Sequence, residues 1–80
     1  MIHELKILPE YFNQVISGNK NWELRKNDRG FKVGDLIVIK EWVERYTGRS
    51  SLGTIKFILE NYTGIENGYC ILSIEWELLK

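Results

Sequence analysis

The sequence predicts one α+β domain, mainly β, in which about five strands form a small closed or nearly closed barrel. Five segments have the alternating or continuous apolar pattern of strands, and glycine- and asparagine-rich turns separate most of them. Helical spacing occurs in one stretch, after Pro9, so we expect one helix after the first strand. The 80 residues suffice for one core, and no repeat or linker divides residues 1–80.

The composition indicates a folded protein of a reducing compartment. A hydrophobic share of 44% with 12% aromatic residues is too high for a disordered chain. The single cysteine, Cys70, excludes a disulfide within these residues, and the N-terminus lacks a signal-peptide pattern. Apolar runs such as residues 36–39 are far shorter than the roughly 20 residues of a membrane-spanning helix. We therefore expect a soluble, cytoplasmic protein without a membrane partner.

The first strand is predicted at Ile2–Ile7, where polar and apolar side chains alternate. His3 shares the parity of Leu5, so we expect it to point inward and to need a hydrogen-bond partner. Since no cysteine or second histidine lies near it in sequence, a structural role is favoured over a metal site.

A helix is predicted to begin at Pro9, because the first helical turn leaves its N–H groups unbonded and proline has none. Gly18 is the expected end, since glycine adopts the left-handed conformation at little cost. Its apolar side chains recur at helical spacing and are expected to pack on the barrel; they are Tyr11, Phe12, Val15 and Ile16.

The second strand begins at Trp22, and its side chains point alternately to two faces. Trp22 and Leu24 share one face, whereas Glu23 and Arg25 share the other. We expect the tryptophan and the leucine to be buried and the two charged side chains to line a cleft.

The middle of the chain predicts a central strand followed by a loop. Residues 27–35 contain two turns, and Leu36–Trp42 is apolar on both parities over most of its length. Such a strand is typically buried on both faces. Residues 44–51 are polar and predict a loop that covers a pocket mouth or is mobile.

Two further strands complete the predicted sheet. Leu52–Glu60 forms the fourth, with Gly53 marking a bulge or a close backbone contact. The turn residues 66–68 predict a hairpin that leads into the last strand, Tyr69–Trp76. Residues 77–80 either extend that strand or fray.

Charge is balanced overall but unevenly distributed. The formal net charge is 0, which argues against a highly basic nucleic-acid binder. Residues 20–32 contain five basic and two acidic side chains, a net charge of +3, whereas residues 57–80 carry −3. A basic flank of this kind can still contact a few phosphates.

The spacing Gly18-x-Lys20-x-x-Glu23-x-Arg25 resembles the signature of the ASCH domain, a PUA-like β-barrel family associated with RNA binding. The Pro9-led helix before it and residues 27–35 after it also resemble short ASCH-like proteins, many of them associated with phages or prophages and without an assigned function. The resemblance implies a PUA-like barrel over residues 1–80 and a ligand such as RNA or a nucleotide.

This resemblance places Lys20, Glu23 and Arg25 in a cleft between the helix and the barrel. Basic side chains there would hold phosphate or a base edge, and an aromatic side chain would offer a stacking surface. The further residues expected to bind nucleic acid are Lys26, Arg29, Arg49, Trp42 and Tyr46. No phosphate-binding glycine loop, Cys/His metal spacing or Ser-His-Asp set occurs, so we expect neither a cofactor nor a metal.

Two alternatives remain open at this point. Small ASCH amidohydrolases that deacylate N4-acetylcytidine use a lysine, a threonine and a glutamate, and this chain matches the lysine with Lys20 but has Glu23 in place of the threonine. Lys20 and Glu23 are then the catalytic candidates, with Glu60 or Glu75 as the distal glutamate. In the other alternative, the charges form a structural cluster in a protein-interaction module.

Overall fold

Five strands and one helix make up the fold in the computed structural model, which describes residues 1–77. In chain order they are β1 (Ile2–Ile7), α1 (Pro9–Ile16), β2 (Trp22–Lys26), β3 (Leu36–Trp42), β4 (Tyr46–Glu60) and β5 (Tyr69–Trp76). The strands form one curled, half-barrel sheet in the order β1-β3-β4-β5-β2. The predicted mainly β fold, with a single short helix after the first strand, is confirmed.

The sheet combines one parallel pair with three antiparallel pairs. β1 lies parallel to β3, and β3, β4, β5 and β2 follow one another as antiparallel neighbours. β1 and β2 are consequently the two ends of the curled sheet, with the helix between them in sequence. β3, predicted to be central, is an interior strand beside the end strand β1, whereas β4 occupies the middle of the sheet.

The core fills the concave side of the sheet. Alternate side chains of β1, β3 and β5 point into it, and α1 contributes one phenylalanine and one valine. The buried apolar residues are Leu5, Ile7, Phe12, Val15, Phe31, Ile37, Ile39, Ile55, Cys70, Leu72 and Ile74. The expectation that β3 is buried on both faces is wrong, because α1 packs with the core on the inner side and leaves Leu36 and Val38 only half-buried on the outer side.

The helix begins and ends as predicted. Pro9 occupies its first turn, and Gly18 follows its end with a left-handed φ of +84°. Of the four apolar residues expected to pack on the barrel, Phe12 and Val15 are buried. The expectation is wrong for Tyr11 and Ile16, which lie at the border of the buried face and remain about half-exposed.

His3 is buried and makes the polar contact that its position requires. Its Nε2 lies 2.8 Å from a carboxylate oxygen of Asp35, and its ring meets the edge of Phe31 at a centroid distance of 4.7 Å. The predicted structural role, with a hydrogen-bond partner, is confirmed.

The polar loop predicted at residues 44–51 is wrong, because β4 already begins at Tyr46. The turn between β3 and β4 is short and includes Glu44 at a φ of +60°. Two polar side chains of this hairpin have a cross-strand partner, since the Glu41 carboxylate on β3 accepts hydrogen bonds from Thr47 and Arg49 on β4. Polar composition here indicates a paired strand with a solvated face.

The boundaries of β5 agree with the prediction, and the backbone N–H of Glu77 donates to the carbonyl of Leu52 at 2.8 Å. The undecided tail, residues 78–80, lies outside the described residues. No helix within residues 1–77 is long and apolar enough to cross a membrane.

Gly53 on β4 packs closely against side chains of β5. A Cβ atom there would lie 2.5 Å from Cγ2 of Ile74 and 2.6 Å from the ring of Trp76. The predicted close contact is confirmed, whereas the register shifts of β4 and β3 fall elsewhere, at residues 55–57 and 40–42.

We therefore predict that Gly53→Ala lowers the free energy of unfolding by about 1–3 kcal/mol, the usual cost of overpacking. Urea unfolding followed by tryptophan fluorescence measures this loss. Ser73→Ala, at an exposed position on the adjacent strand, is the control and is expected to change stability by less than about 0.5 kcal/mol. Equal stability of the two variants would contradict the close contact.

Candidate functional site

The two faces of β2 are reversed relative to the prediction. Glu23 is 4% exposed and points inward, whereas Trp22 and Leu24 are 49% and 53% exposed on the outside. The predicted alternation is confirmed, but the assignment of the buried face is wrong, because a period of two does not determine which face meets the core. The helix packs on the core side of the sheet, so these outer apolar side chains of β2 remain exposed.

Glu23 is held between two cations. Lys20 donates from Nζ to Oε1 of Glu23 and, at 2.7 Å, to the carbonyl of Trp22. Arg25 donates from Nε to Oε2 of the same carboxylate at 2.8 Å. These three residues, which we call the charge triad, bury one carboxylate with two cationic partners and keep a net positive charge.

The backbone around Lys20 is fixed from both sides. Its N–H donates to the carbonyl of Gln14 at 3.0 Å, in the last turn of α1, and its carbonyl accepts a 3.0 Å bond from the indole N–H of Trp76 on β5. The ammonium also lies 4.6 Å from the centre of the Trp22 ring. The motif therefore joins the end of the helix to the last strand.

The gap between β1 and β2 is bridged by arginine side chains. Arg25 donates from Nη2 to the carbonyl of Lys6 at 2.7 Å, and Arg29 donates from Nη1 to the carbonyl of Glu4 at 2.7 Å. The two strands share no backbone ladder. We call this gap the seam of the half-barrel.

A groove of about 630 Å³ follows the seam, within the size range of small-molecule sites. Its charged lining consists of four basic side chains and one acidic side chain: Lys6, Lys20, Arg25, Lys26 and Glu23. Its apolar and aromatic lining consists of Ile7, Leu8, Tyr11, Trp22, Leu24 and Tyr69. The groove therefore combines an excess of positive charge with flat apolar surface.

The structure brings four of the predicted site residues into this groove, namely Lys20, Glu23, Arg25 and Lys26. Arg29 lies further along the seam, on the carbonyl of Glu4. Arg49 lies elsewhere, because its guanidinium is bonded to Glu41 and Asn13 and stacks 4.7 Å from the ring of Phe12.

Trp42 and Tyr46 form a separate aromatic pair beside the groove. Their rings meet edge to face at a centroid distance of 4.9 Å, across the β3–β4 hairpin. Nζ of Lys6 lies 4.0 Å from the centre of the Trp42 ring. Lys6 thus contacts both the groove and the aromatic pair, which we call the platform.

Sequence reasoning missed Lys6 and Tyr11, which line the groove, and Glu41, which is buried. Glu41 could have been found, because it shares the parity of the core residues Ile37 and Ile39 on β3. Lys6 and Tyr11 have no such signal in the sequence, because the fold of the sheet and the helix brings them to the seam.

Other potential chemistry is distributed away from the groove. Glu60 and Glu75 do not line it. Burial raises the pKa of the Cys70 thiol, which disfavours the reactive thiolate. Within residues 1–77, no three His, Cys, Asp or Glu side chains are grouped as a metal site.

Comparison with known proteins identifies the family. The family described as "Domain of unknown function (DUF3850)" matches residues 2–74, which extend from β1 into β5. This chain belongs to the DUF3850 family. The DUF3850 chain is also 34% identical over 79 residues to the "Uncharacterized 12.9 kDa protein in GpA 3'region" of Escherichia phage P2, an alignment that covers 98% of the chain and 72% of the phage protein. The predicted likeness to a phage protein without an assigned function is thereby confirmed.

We predict that Glu23→Ala destabilises the DUF3850 domain by about 3 kcal/mol, since it leaves two cations facing each other without their buried carboxylate. Thermal or urea unfolding measures the loss. The matched control is Glu60→Ala, which removes an exposed carboxylate that accepts a hydrogen bond from Asn27 and should cost less than about 1 kcal/mol. Similar losses in both variants would show that the charge triad contributes no more than a surface contact.

A second prediction concerns acid stability. Hydrogen bonds from Arg49 and Thr47 lower the pKa of Glu41 from its usual 4.5 to about 2. Because the folded pKa lies below the unfolded one, this carboxylate contributes stability that is complete above pH 4.5 and is lost as the pH falls towards 2. Glu41→Gln should therefore lower the melting temperature at pH 7 and reduce the further loss between pH 4.5 and 2.

Circular dichroism melts over this pH range provide the measurement. The pKa of Asp35 is also lowered, mainly by its bond to His3. The loss of stability in acid that comes from Asp35 should therefore occur in the wild type and in Glu41→Gln alike. Parallel pH profiles for the wild type and Glu41→Gln would contradict the assignment.

Proposed function

We propose that this DUF3850 protein binds single-stranded RNA or a nucleotide in the groove along the seam. The observation that carries the proposal is the lining of the groove, where four basic side chains and one acidic side chain surround aromatic and apolar walls. Phosphate is attracted to the excess positive charge, and a base can stack on the flat apolar surface. Nucleotides combine both features.

The positions of individual residues support roles within the groove. Arg25 offers a planar guanidinium that suits a phosphate, and Lys26 is exposed and forms no ion pair within residues 1–77. Tyr11 and Trp22 are half-exposed and line the groove on the helix side and the β2 side. Glu23 holds Lys20 and Arg25 in place, so its role is to position the two cations.

The likeness to the ASCH signature supports the same proposal. The three charged residues of that signature, Lys20, Glu23 and Arg25, form one bonded network and all line the groove. We therefore propose an ASCH-like, PUA-like ancestry for this domain, with RNA as the preferred polymer. A reducing cytoplasm suits a chain whose single cysteine is buried.

Binding is favoured over hydrolysis by the environment of Lys20. Its ammonium is bonded to Glu23, which stands where the amidohydrolases have their threonine, and no other glutamate within residues 1–77 lines the groove. Incubation with N4-acetylcytidine tests the alternative directly. Release of cytidine that disappears in Lys20→Ala would replace binding by acyl hydrolysis as the function.

A protein-interaction module is the second candidate. It is favoured by large apolar side chains that are about half or more exposed, among them Trp22, Leu24 and Phe57. The register places Trp22 and Phe57 on opposite sides of the same residue of β5, Ser73, so they share one face of the sheet.

We predict that a fluorescein-labelled octaribonucleotide binds weakly and with a clear dependence on salt. Two or three phosphate contacts give a slope of roughly −1.5 to −2 in a plot of log affinity against log salt concentration. Lys26→Ala should weaken binding and reduce the magnitude of this slope by about 0.7, the contribution of one phosphate. Fluorescence anisotropy between 50 and roughly 200 mM salt measures both effects.

Lys56→Ala is the matched control, because Lys56 is an exposed strand lysine that does not line the groove. It should leave both affinity and slope unchanged. Salt-independent binding, or an equal loss of affinity in Lys26→Ala and Lys56→Ala, would favour the protein-interaction module instead.

A further inference from the structure

Lys6 joins two surfaces that could each take a base. Its backbone carbonyl accepts the bond from Arg25, its side chain lines the groove, and its ammonium lies over the Trp42 ring at 4.0 Å. Lys6 pairs with Lys40 in the β1–β3 register, so the two side chains lie next to each other on the outer face of the sheet. Lys6 thus lies between the groove and the platform, with Lys40 beside it.

The platform is accessible to a flat ligand. Tyr46 is 50% exposed, and its ring stands nearly perpendicular to Trp42, at an interplanar angle of 78°. The cations of Lys6 and Lys40 lie 6.0 and 5.4 Å from the centre of the Tyr46 ring. Lys40 is also paired with Glu4 at 3.0 Å, which leaves Lys6 as the cation that is not committed to a carboxylate within residues 1–77.

We propose that the DUF3850 domain is built for at least two successive nucleotides of a single strand. The first base occupies the groove, the second stacks on the platform, and the phosphate that links them lies at Lys6. This inference rests on the proposed function of the groove and extends it from a nucleotide to an oligonucleotide.

The exchange of contacts that this binding mode requires is favourable. Lys6 leaves the Trp42 ring and pairs with the linking phosphate, which is a full negative charge. A base then covers the ring that the ammonium occupied. Stacking of a base on an aromatic side chain is generally stronger than one exposed cation–π contact, so replacing the ammonium by the base favours the bound state.

Three small probes separate the two subsites. They are adenosine 5'-monophosphate, the dinucleotide pApA, and a matched dinucleotide in which the second position is abasic. The last two carry the same phosphates and differ only in the second base. We expect pApA to bind roughly tenfold more tightly than the abasic probe, the contribution of one stacked base.

Variants assign this difference to the platform. Trp42→Leu should remove the advantage of pApA over the abasic probe while leaving the affinity for the mononucleotide unchanged. Tyr46→Leu, at a more exposed ring, provides the same test if the first variant does not fold. Lys6→Met should weaken both dinucleotides, because both carry the linking phosphate that Lys6 would contact. Lys56→Met is the matched control and should change nothing.

Isothermal titration calorimetry, with the indole N–H signals of the three tryptophans followed by NMR, gives both affinity and location. If the mononucleotide binds but pApA binds no more tightly than the abasic probe, the two-base site is wrong and the proposed function of the groove stands. If the advantage of pApA survives Trp42→Leu and Tyr46→Leu, the second base lies elsewhere and the platform assignment is overturned. If none of the three probes binds at millimolar concentration, both the inference and the function proposed for the groove fall.

Discussion

The two end strands of the sheet face each other without a backbone hydrogen-bond ladder, and arginine side chains complete the contact. Open strand edges are usually a liability, because their unpaired groups can pair with another chain. Here Arg25 and Arg29 occupy carbonyl acceptors of β1 from the opposite side of the seam. Arg25 is in turn oriented by Glu23. The shape of the groove and its positive charge therefore both depend on the arginine side chains that bridge β1 and β2 in place of a backbone ladder.

A buried carboxylate between two cations links the stability of this region to its surface charge. A carboxylate removed from water is costly unless its oxygens are paired, and each oxygen of Glu23 accepts a bond from a cation. Because two cations pair with the one carboxylate, the charge triad contributes a net positive charge to the groove. A phosphate would meet donors whose positions are already fixed, which lowers the entropy lost on binding.

Sequence reasoning recovered those parts of the fold that local patterns determine. Pro9 and Gly18 bounded the helix, and Tyr69–Trp76 matched the last strand, since turn residues and apolar periodicity act within a few positions. The faces of β2 were reversed because their direction depends on the two cations that stabilise Glu23 inside and on the position of β2 at the end of the sheet. Sequence alternation contains neither fact.

The candidate site was predicted in part for the same reason. Lys20, Glu23, Arg25 and Lys26 lie together because they are neighbours in sequence around one turn and one strand. Lys6 reaches the same groove only through the curl of the sheet, and Arg49 is removed from it by a bond to Glu41 on the neighbouring strand. Long-range pairings of this kind could not be seen in residue spacing.

The order of strands in the sheet also bears on the synthesis of the chain. β3, β4 and β5 follow one another in sequence, and β4 pairs with both of the others. β1 pairs with β3 at one end of the sheet, and β2 pairs with β5 at the other. A nascent chain that has not yet exposed β5 has no strand on which β2 can pair, although β2 left the ribosome much earlier. The groove along the seam is thus assembled from the first part of the chain but becomes complete only with the last strand. A ribosome-bound or C-terminally truncated chain, with its basic motif strand undocked, would present these charges without the groove that gives them a shape.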